Sequence, residues 1–254
     1  MKLNTYNLPF NSISIVPMGD LHIGSAKCKL DDIKEAIERV KASPSTYIVL
    51  LGDLINNSTK TSVGDVYSEP MTPMEQMEMA VDLFKPVADK ILSVCSGNHE
   101  RRTYKQDGID LTAIFCKMLG IEDRYDYVSN LLFISYGKCP VNKNPNCKTI
   151  YVTHGDGQGG RLIGSKANGL ARRGEVVDAD IVITGHTHAP ISFKQASYKV
   201  DKIHKSVKLA EQTFVNISSA LAYEAYAEQV GLPPSSSTTP VIFLTEDGRT
   251  QVAV

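Results

Sequence analysis

The chain has 254 residues, 42% of them hydrophobic, and its 27 lysines and arginines are balanced by 28 aspartates and glutamates. That length and apolar content suit one α/β domain with a real core. The near-neutral charge excludes a global field that would draw in nucleic acid or an anionic membrane, so only a local basic patch would serve either.

The five cysteines, an odd number without a CxxC pair, exclude a disulfide framework and a thiolate zinc site. Cys139 and Cys147 flank the polar loop 140–146 and are expected as reduced thiols, a bridge across the loop being the alternative. The first residues lack the charged segment and long apolar run of a signal peptide. No stretch approaches the ~20 apolar residues of a membrane span. The expected setting is a reducing cytoplasm.

A β-branched apolar run at 13–16 predicts a buried strand leading into Gly19-Asp20-Leu21-His22. Leu30, Ile33, Ile37 and Val40 then recur at helical spacing, with Asp31 and Asp32 early and Lys41 late, as the helix dipole prefers. A second strand over 47–51 runs into Gly52-Asp53, and the polar stretch 56–72 reads as a loop. Pro73 opens a second helix with Met74, Met77, Val81 and Phe84 on one face. The run 91–95 leads into Gly97-Asn98-His99-Glu100, and a third helix is expected over 109–119 with Ile109, Ala113, Cys116 and Leu119 toward the core.

Strands at 149–153 and 181–184 end in His154-Gly155-Asp156 and Gly185-His186-Thr187-His188. Between them, the Gly-rich segment 157–174 carries Arg161, Lys166, Arg172 and Arg173 without one acid. It reads either as a mobile basic flap over the residues around His154 or as a solvated surface loop. Strands follow at 214–217 and 241–245, and Asp247-Gly248 turns tightly into 251–254. The segment 231–240 is a surface loop rather than a linker, because only fourteen residues follow it.

Strand, turn and helix alternation argues an α/β fold, whose sites form beyond the carboxyl ends of the strands. All five polar blocks stand there. Five of the six histidines fall inside four of these blocks, and only His204 lies outside. Aspartate, asparagine and neutral imidazole hold divalent metals of intermediate hardness.

Taken in order, the blocks D-x-H, GD, GNH-[ED], H and GHxH resemble the calcineurin-like metallophosphoesterase superfamily, from Asp20 to His188, about two-thirds of the chain. The resemblance implies a four-layer αββα sandwich with two mixed β-sheets and a dinuclear metal site at the strand C-terminal ends. It implies one metal on Asp20, His22 and His188, a second on Asn98, His154 and His186, Asp53 bridging both, and His99 as the acid histidine. The two divalent ions are expected to be manganese first, with iron, zinc or nickel as alternatives.

The implied activity is that of a phosphodiesterase or phosphomonoesterase on small or nucleotide substrates, with a hydroxide between the metals attacking phosphorus in line. A DNA nuclease of the same superfamily is one alternative, and a non-catalytic metal-binding scaffold is another. Arg101 and Arg102, next to the third block, join Arg161, Lys166, Arg172 and Arg173 as candidate phosphate contacts. Two departures stand out. Asn56 replaces the second aspartate of the family's GDxxD. Glu100 matches the protein Ser/Thr phosphatases, but their Asp-Arg-Gly and paired glycine are missing. Oligomeric state is not readable from the chain.

Overall fold

Strict alternation of side chains decides the layering. The computed structural model describes residues 1–59, 62, 69–139, 143–156, 160, 162–223, 234, 236 and 238–254. Its strands in chain order are β1 (Lys2–Leu8), β2 (Ile13–Met18), β3 (Thr46–Leu50), β4 (Ile91–Cys95), β5 (Tyr125–Asp126) and β6 (Ser129–Tyr136). They continue with β7 (Asn146–Thr153), β8 (Ile181–Thr184), β9 (Ile191–Asp201), β10 (Ser206–Asn216), β11 (Val241–Leu244) and β12 (Thr250–Ala253). The helices are α1 (Leu30–Ala42), α2 (Pro73–Phe84), α3 (Asn98–Asp107), α4 (Leu111–Leu119) and α5 (Ile163–Arg173).

Two six-stranded sheets result, ordered β12-β11-β2-β3-β4-β5 and β1-β6-β7-β8-β10-β9. The first is parallel from β2 to β5 and antiparallel at β11 and β12. The second mixes parallel β1–β6, β7–β8 and β8–β10 pairs with antiparallel β6–β7 and β9–β10. In β3, Ile48 and Leu50 pack under α1, α2 and α4, whereas Val49 and the following Leu51 pack between the sheets. In β7 and β8, Ile150, Val152, Ile181 and Ile183 face the other sheet, while Tyr151 and Val182 face Leu170 of α5. The outcome is the αββα sandwich. Its cores are buried well enough that truncating Phe84, edge-to-face with Phe115 at 6.0 Å, carries the usual cost of about 3–5 kcal/mol.

The expected strand runs and the first two helices are present. Pro73 opens α2 behind a capping box, in which Thr72 accepts from the Glu75 N–H and its own N–H donates to Glu75. Three expected core positions are not core. Met74 is 57% exposed, because the inner face of α2 is Met77, Ala80, Val81 and Phe84. Ile109 is 47% exposed, because Gly108 ends α3 at a φ of 71° and the Asp110 side chain caps α4 by accepting from the Ala113 N–H. The buried side of α4 is therefore Thr112, Phe115 and Cys116, not Ala113.

A larger correction concerns 157–174. Residues 163–173 form a helix and not a flap, docked by Leu170 onto Tyr151, Val182 and Phe214. Cys28, Cys95, Cys116 and Cys147 are thiols outside any disulfide. Among the described residues no helix is long and apolar enough to cross a membrane.

Candidate metal centre

Asp20 and His22 leave β2, Asp53 leaves β3, Asn98 and His99 open α3 behind β4, His154 leaves β7, and His186 and His188 leave β8. Five of these hold the left-handed backbone region: Asp20 (φ 49°), His22 (50°), Asp53 (48°), His186 (67°) and His188 (52°). For a residue with a Cβ this costs on the order of 1–3 kcal/mol each and persists only where the surroundings over-determine it.

The surroundings do so with hydrogen bonds between the turns. The Leu21 and His22 N–H groups donate to Asp53 O at 2.8 and 3.1 Å, and Asp20 N–H donates to Gly52 O at 3.0 Å. His186 N–H donates to Asp20 Oδ2, and His99 N–H to Asp53 Oδ1, each at 2.8 Å. Gly52 and Gly97 touch so closely that a Cβ on Gly52 would stand 2.2 Å from Gly97 N. Glycine is required at that crossing.

Beneath the turns lies Glu100, 2% exposed. Its Oε1 accepts from the Leu54 and Ile55 N–H groups at 2.7 and 3.2 Å, and its Oε2 accepts from Asp53 and Gly97, both at 3.0 Å. Burial and the neighbouring Asp53 carboxylate push its pKa up to about 7 against these donors. Glu100 thus ties the second block to the third. The sequence signal was its place three residues after the helix-capping Gly97. Glu100→Gln would turn an NH₂ group toward two backbone donors. A loss of about 3 kcal/mol, roughly one hydrogen bond to a charged group plus an unsatisfied donor, is expected in urea denaturation, together with weaker metal retention. A variant as stable as wild type would refute this role.

The donor atoms converge. Asn98 Oδ1 lies 2.9 Å from His154 Nε2 and 2.7 Å from His186 Nδ1, and His154 Nε2 lies 3.4 Å from Asp53 Oδ2. On the other side, His22 Nε2 faces His188 Nε2 at 3.4 Å, and Asp20 Oδ1 lies 3.5 Å from His188 Nε2. Three overlapping groups have all their ligand atoms within 4.8 Å of one another: Asp20, His22 and His188; His22, Asp53 and His99; Asp53, His154 and His186. Backbone carbonyls aim two of the rings. Nδ1 of His154 donates to Leu51 O at 2.8 Å and Nδ1 of His99 to Asn56 O at 2.5 Å, which turns each Nε2 inward.

This set fits divalent ions. The buried Asp20 Oδ1 accepts no hydrogen bond, and imidazole nitrogens point at each other where only a proton or a metal reconciles their lone pairs. The electrostatics agree. His154 is pushed up to about 9, because the adjacent Asp53 carboxylate outweighs the burial that opposes its charge. Burial likewise opposes charge on His188, and Asp20 outweighs it in the same way. Burial draws His22 down to about 3, helped by the neighbouring His99, so it stays a neutral donor. Two buried carboxylates thus demand a cation, and a divalent ion meets that demand with the imidazoles unprotonated.

Of the expected phosphate contacts, Arg102 reaches the centre, with its guanidinium nitrogens 3.2 and 3.0 Å from the two ring nitrogens of His99. Arg101 is instead spent on Tyr127, stacking on its ring at 4.8 Å and donating to its carbonyl at 2.6 Å. Lys166 donates to the Thr187 carbonyl at 3.0 Å, between the two histidines of the fifth block, and Arg173 pairs with Asp156. Arg172 is exposed on α5, and Arg161 lies outside the described residues. Unforeseen from sequence is Asn57, fully buried at a φ of 42°, which donates to the His99 carbonyl at 2.6 Å and to Thr103 Oγ1 at 2.9 Å.

Among solved structures, the chain is similar to Vacuolar Protein Sorting 29 of Cryptosporidium parvum at 17% identity, over 95% of this chain and 96% of that one, with a TM-score of 0.46. It is similar to a predicted phosphoesterase of Streptococcus pneumoniae at 16% identity, covering 95% and 97%, with a TM-score of 0.37. A zinc complex of Vps29 from Entamoeba histolytica matches at 15% identity, 95% and 97% coverage and a TM-score of 0.37. A search of curated proteins gave no match. The family model described as calcineurin-like phosphoesterase matches residues 13–190, a stretch that holds the seven expected metal-ligand residues and His99, and the chain belongs to that family.

Proposed function

We propose that the chain is a divalent-metal-dependent phosphoester hydrolase acting on small or nucleotide phosphodiesters or phosphomonoesters. The observation that carries this reading is the position of Asp53, whose carboxylate is common to the donor group of His22 and to that of His154 and His186. One ion would be held by Asp20, His22 and His188, the other by Asn98, His154 and His186, with Asp53 between them. Divalent ions there, manganese first and iron, zinc or nickel as alternatives, supply Lewis acidity toward phosphoryl oxygens and lower the pKa of a water.

The protein's own share is positioning and proton delivery. His99 keeps Nδ1 on the Asn56 carbonyl, which turns Nε2, with Arg102 Nη2 3.0 Å away, inward to where it would hand a proton to the leaving oxygen. Arg102, beside that ring, offers its guanidinium to the phosphoryl oxygens. We read residues 1–254 as one domain, because β11 and β12 complete the sheet that contains β2.

The test is metal-stripped protein refilled with manganese, assayed on bis-p-nitrophenyl phosphate, p-nitrophenyl phosphate and a labelled DNA strand. Manganese-dependent cleavage of the diester is the expected result. Cleavage of the monoester alone narrows the reading to a phosphatase, and cleavage of DNA moves it to a nuclease. Bound ions without turnover on any of the three would leave a binding scaffold.

A further inference from the structure

The β9–β10 hairpin extends well past the sheet it belongs to. Only 213–216 of β10 pair with β8, and residues 206–212 pair with β9 alone. At ~3.3 Å per residue the two-stranded ribbon reaches about 20 Å beyond its last supported position. It points away from the strand ends that carry the metal centre. Such a ribbon is marginal in water unless one face is covered.

One face asks to be covered. The register sets Tyr198 opposite Leu209 and Val200 opposite Val207. These side chains are 76%, 66%, 69% and 60% exposed, and Ile203 in the turn is 87% exposed. The four strand residues share a face with Val215, which lies in the core between the two sheets. The strip is therefore the continuation of a face that a second sheet covers elsewhere, and among the described residues no strand covers it here. Lys199 and Lys208 lie opposite each other on the other face, where Lys199 is paired with Asp178.

We propose that this ribbon is a self-association arm, in which two copies stack their apolar strips antiparallel across a two-fold axis. Three observations select a second copy as the occupant. The five side chains, at the exposures given, offer on the order of 600 Å² per copy, so full burial in a two-fold stack removes at most about 1,200 Å², the lower bound of stable specific interfaces. The charges at the base of the strip are already neutralised within each copy, Glu211 pairing with Lys194 on the same face at 2.6 Å, so two strips stack there without like-charge repulsion. A bilayer or a nucleic acid fits less well, because the apolar strip and the Lys199–Lys208 pair lie on opposite faces and one flat anionic surface cannot meet both.

The measurement is the mass of the full chain by light scattering and sedimentation velocity over a concentration series, for wild type and for Val200→Lys combined with Leu209→Lys. Wild type is expected at twice 27.8 kDa at high concentration and the double variant at 27.8 kDa, with unchanged circular dichroism and metal uptake. A wild type monomeric throughout, or a folded double variant that still dimerises, overturns the proposal. Should the variant not fold, wild-type hydrogen exchange decides. Amides of 196–211 must gain protection as concentration rises, and protection independent of concentration overturns the arm. A monomer that co-sediments with anionic vesicles would assign the strip to a membrane and likewise overturn it.

Discussion

Asp53→Asn is expected to abolish turnover and to release both ions together, from about two per chain to fewer than one. The side chain is 1% exposed, with Oδ1 accepting the His99 N–H at 2.8 Å and Oδ2 facing His154 Nε2 at 3.4 Å and His99 Nε2 at 3.8 Å. An amide of the same shape fails in either orientation. With its NH₂ at the Oδ1 position it meets the His99 N–H donor to donor, and at the Oδ2 position it points hydrogens at the donor groups. It also lacks the negative charge that holds His154 up to about 9 against burial. The backbone does not confuse the result, since asparagine tolerates the 48° φ of this position at least as well as aspartate. Metal content by mass spectrometry, measured with kcat, reads the outcome. A loss of at least about 10²–10³ in kcat is expected, as for removing one preorganised electrostatic group. Two ions at full occupancy in the variant would remove Asp53 from its shared place.

Much of this centre was legible in the chain because a buried strand and the turn that ends it both leave local marks. β-branched runs gave β2, β3, β4, β7 and β8, and the residue types after them gave the side chains that converge at the strand ends. What escaped was decided by contacts distant in sequence. Helix α3, NHERRTYKQD, carries no apolar stripe to betray its period, and it is set by the cap at Gly97 and the burial of Glu100. Helix α5 is rich in glycine, so its composition argued for a loop. Leu170 in the outer core and the Lys166 bond to Thr187 O overrode that preference. β1 alternates half-buried and exposed residues at a sheet edge, and β9 is almost wholly exposed, so neither offered the apolar run that marks a strand. The left-handed turns were invisible for a simpler reason. Aspartate and histidine stand where glycine would normally announce a positive φ, and the hydrogen bonds between turns hold them there.

His99→Asn is expected to lower kcat by about 10²–10⁴, the usual share of a positioned general acid, while ion content and KM stay near wild type. Each proposed ion has its own three donors besides Asp53, so neither needs this ring. The ring does lie within ligand distance of His22 and Asp53, however. Burial lowers its pKa and the Arg102 guanidinium adds to this, while the Asp53 carboxylate opposes both. The balance favours a ring that gives up its Nε2 proton readily. Leaving-group dependence separates proton donation from the alternatives. p-Nitrophenolate departs without help, whereas an alkoxide needs a proton, so the variant should lose far more activity on an alkyl ester than on the p-nitrophenyl ester. Equal losses on both esters would mean that His99 stabilises phosphoryl charge instead of donating a proton. Loss of metal in the variant would make it a ligand alongside His22 and Asp53.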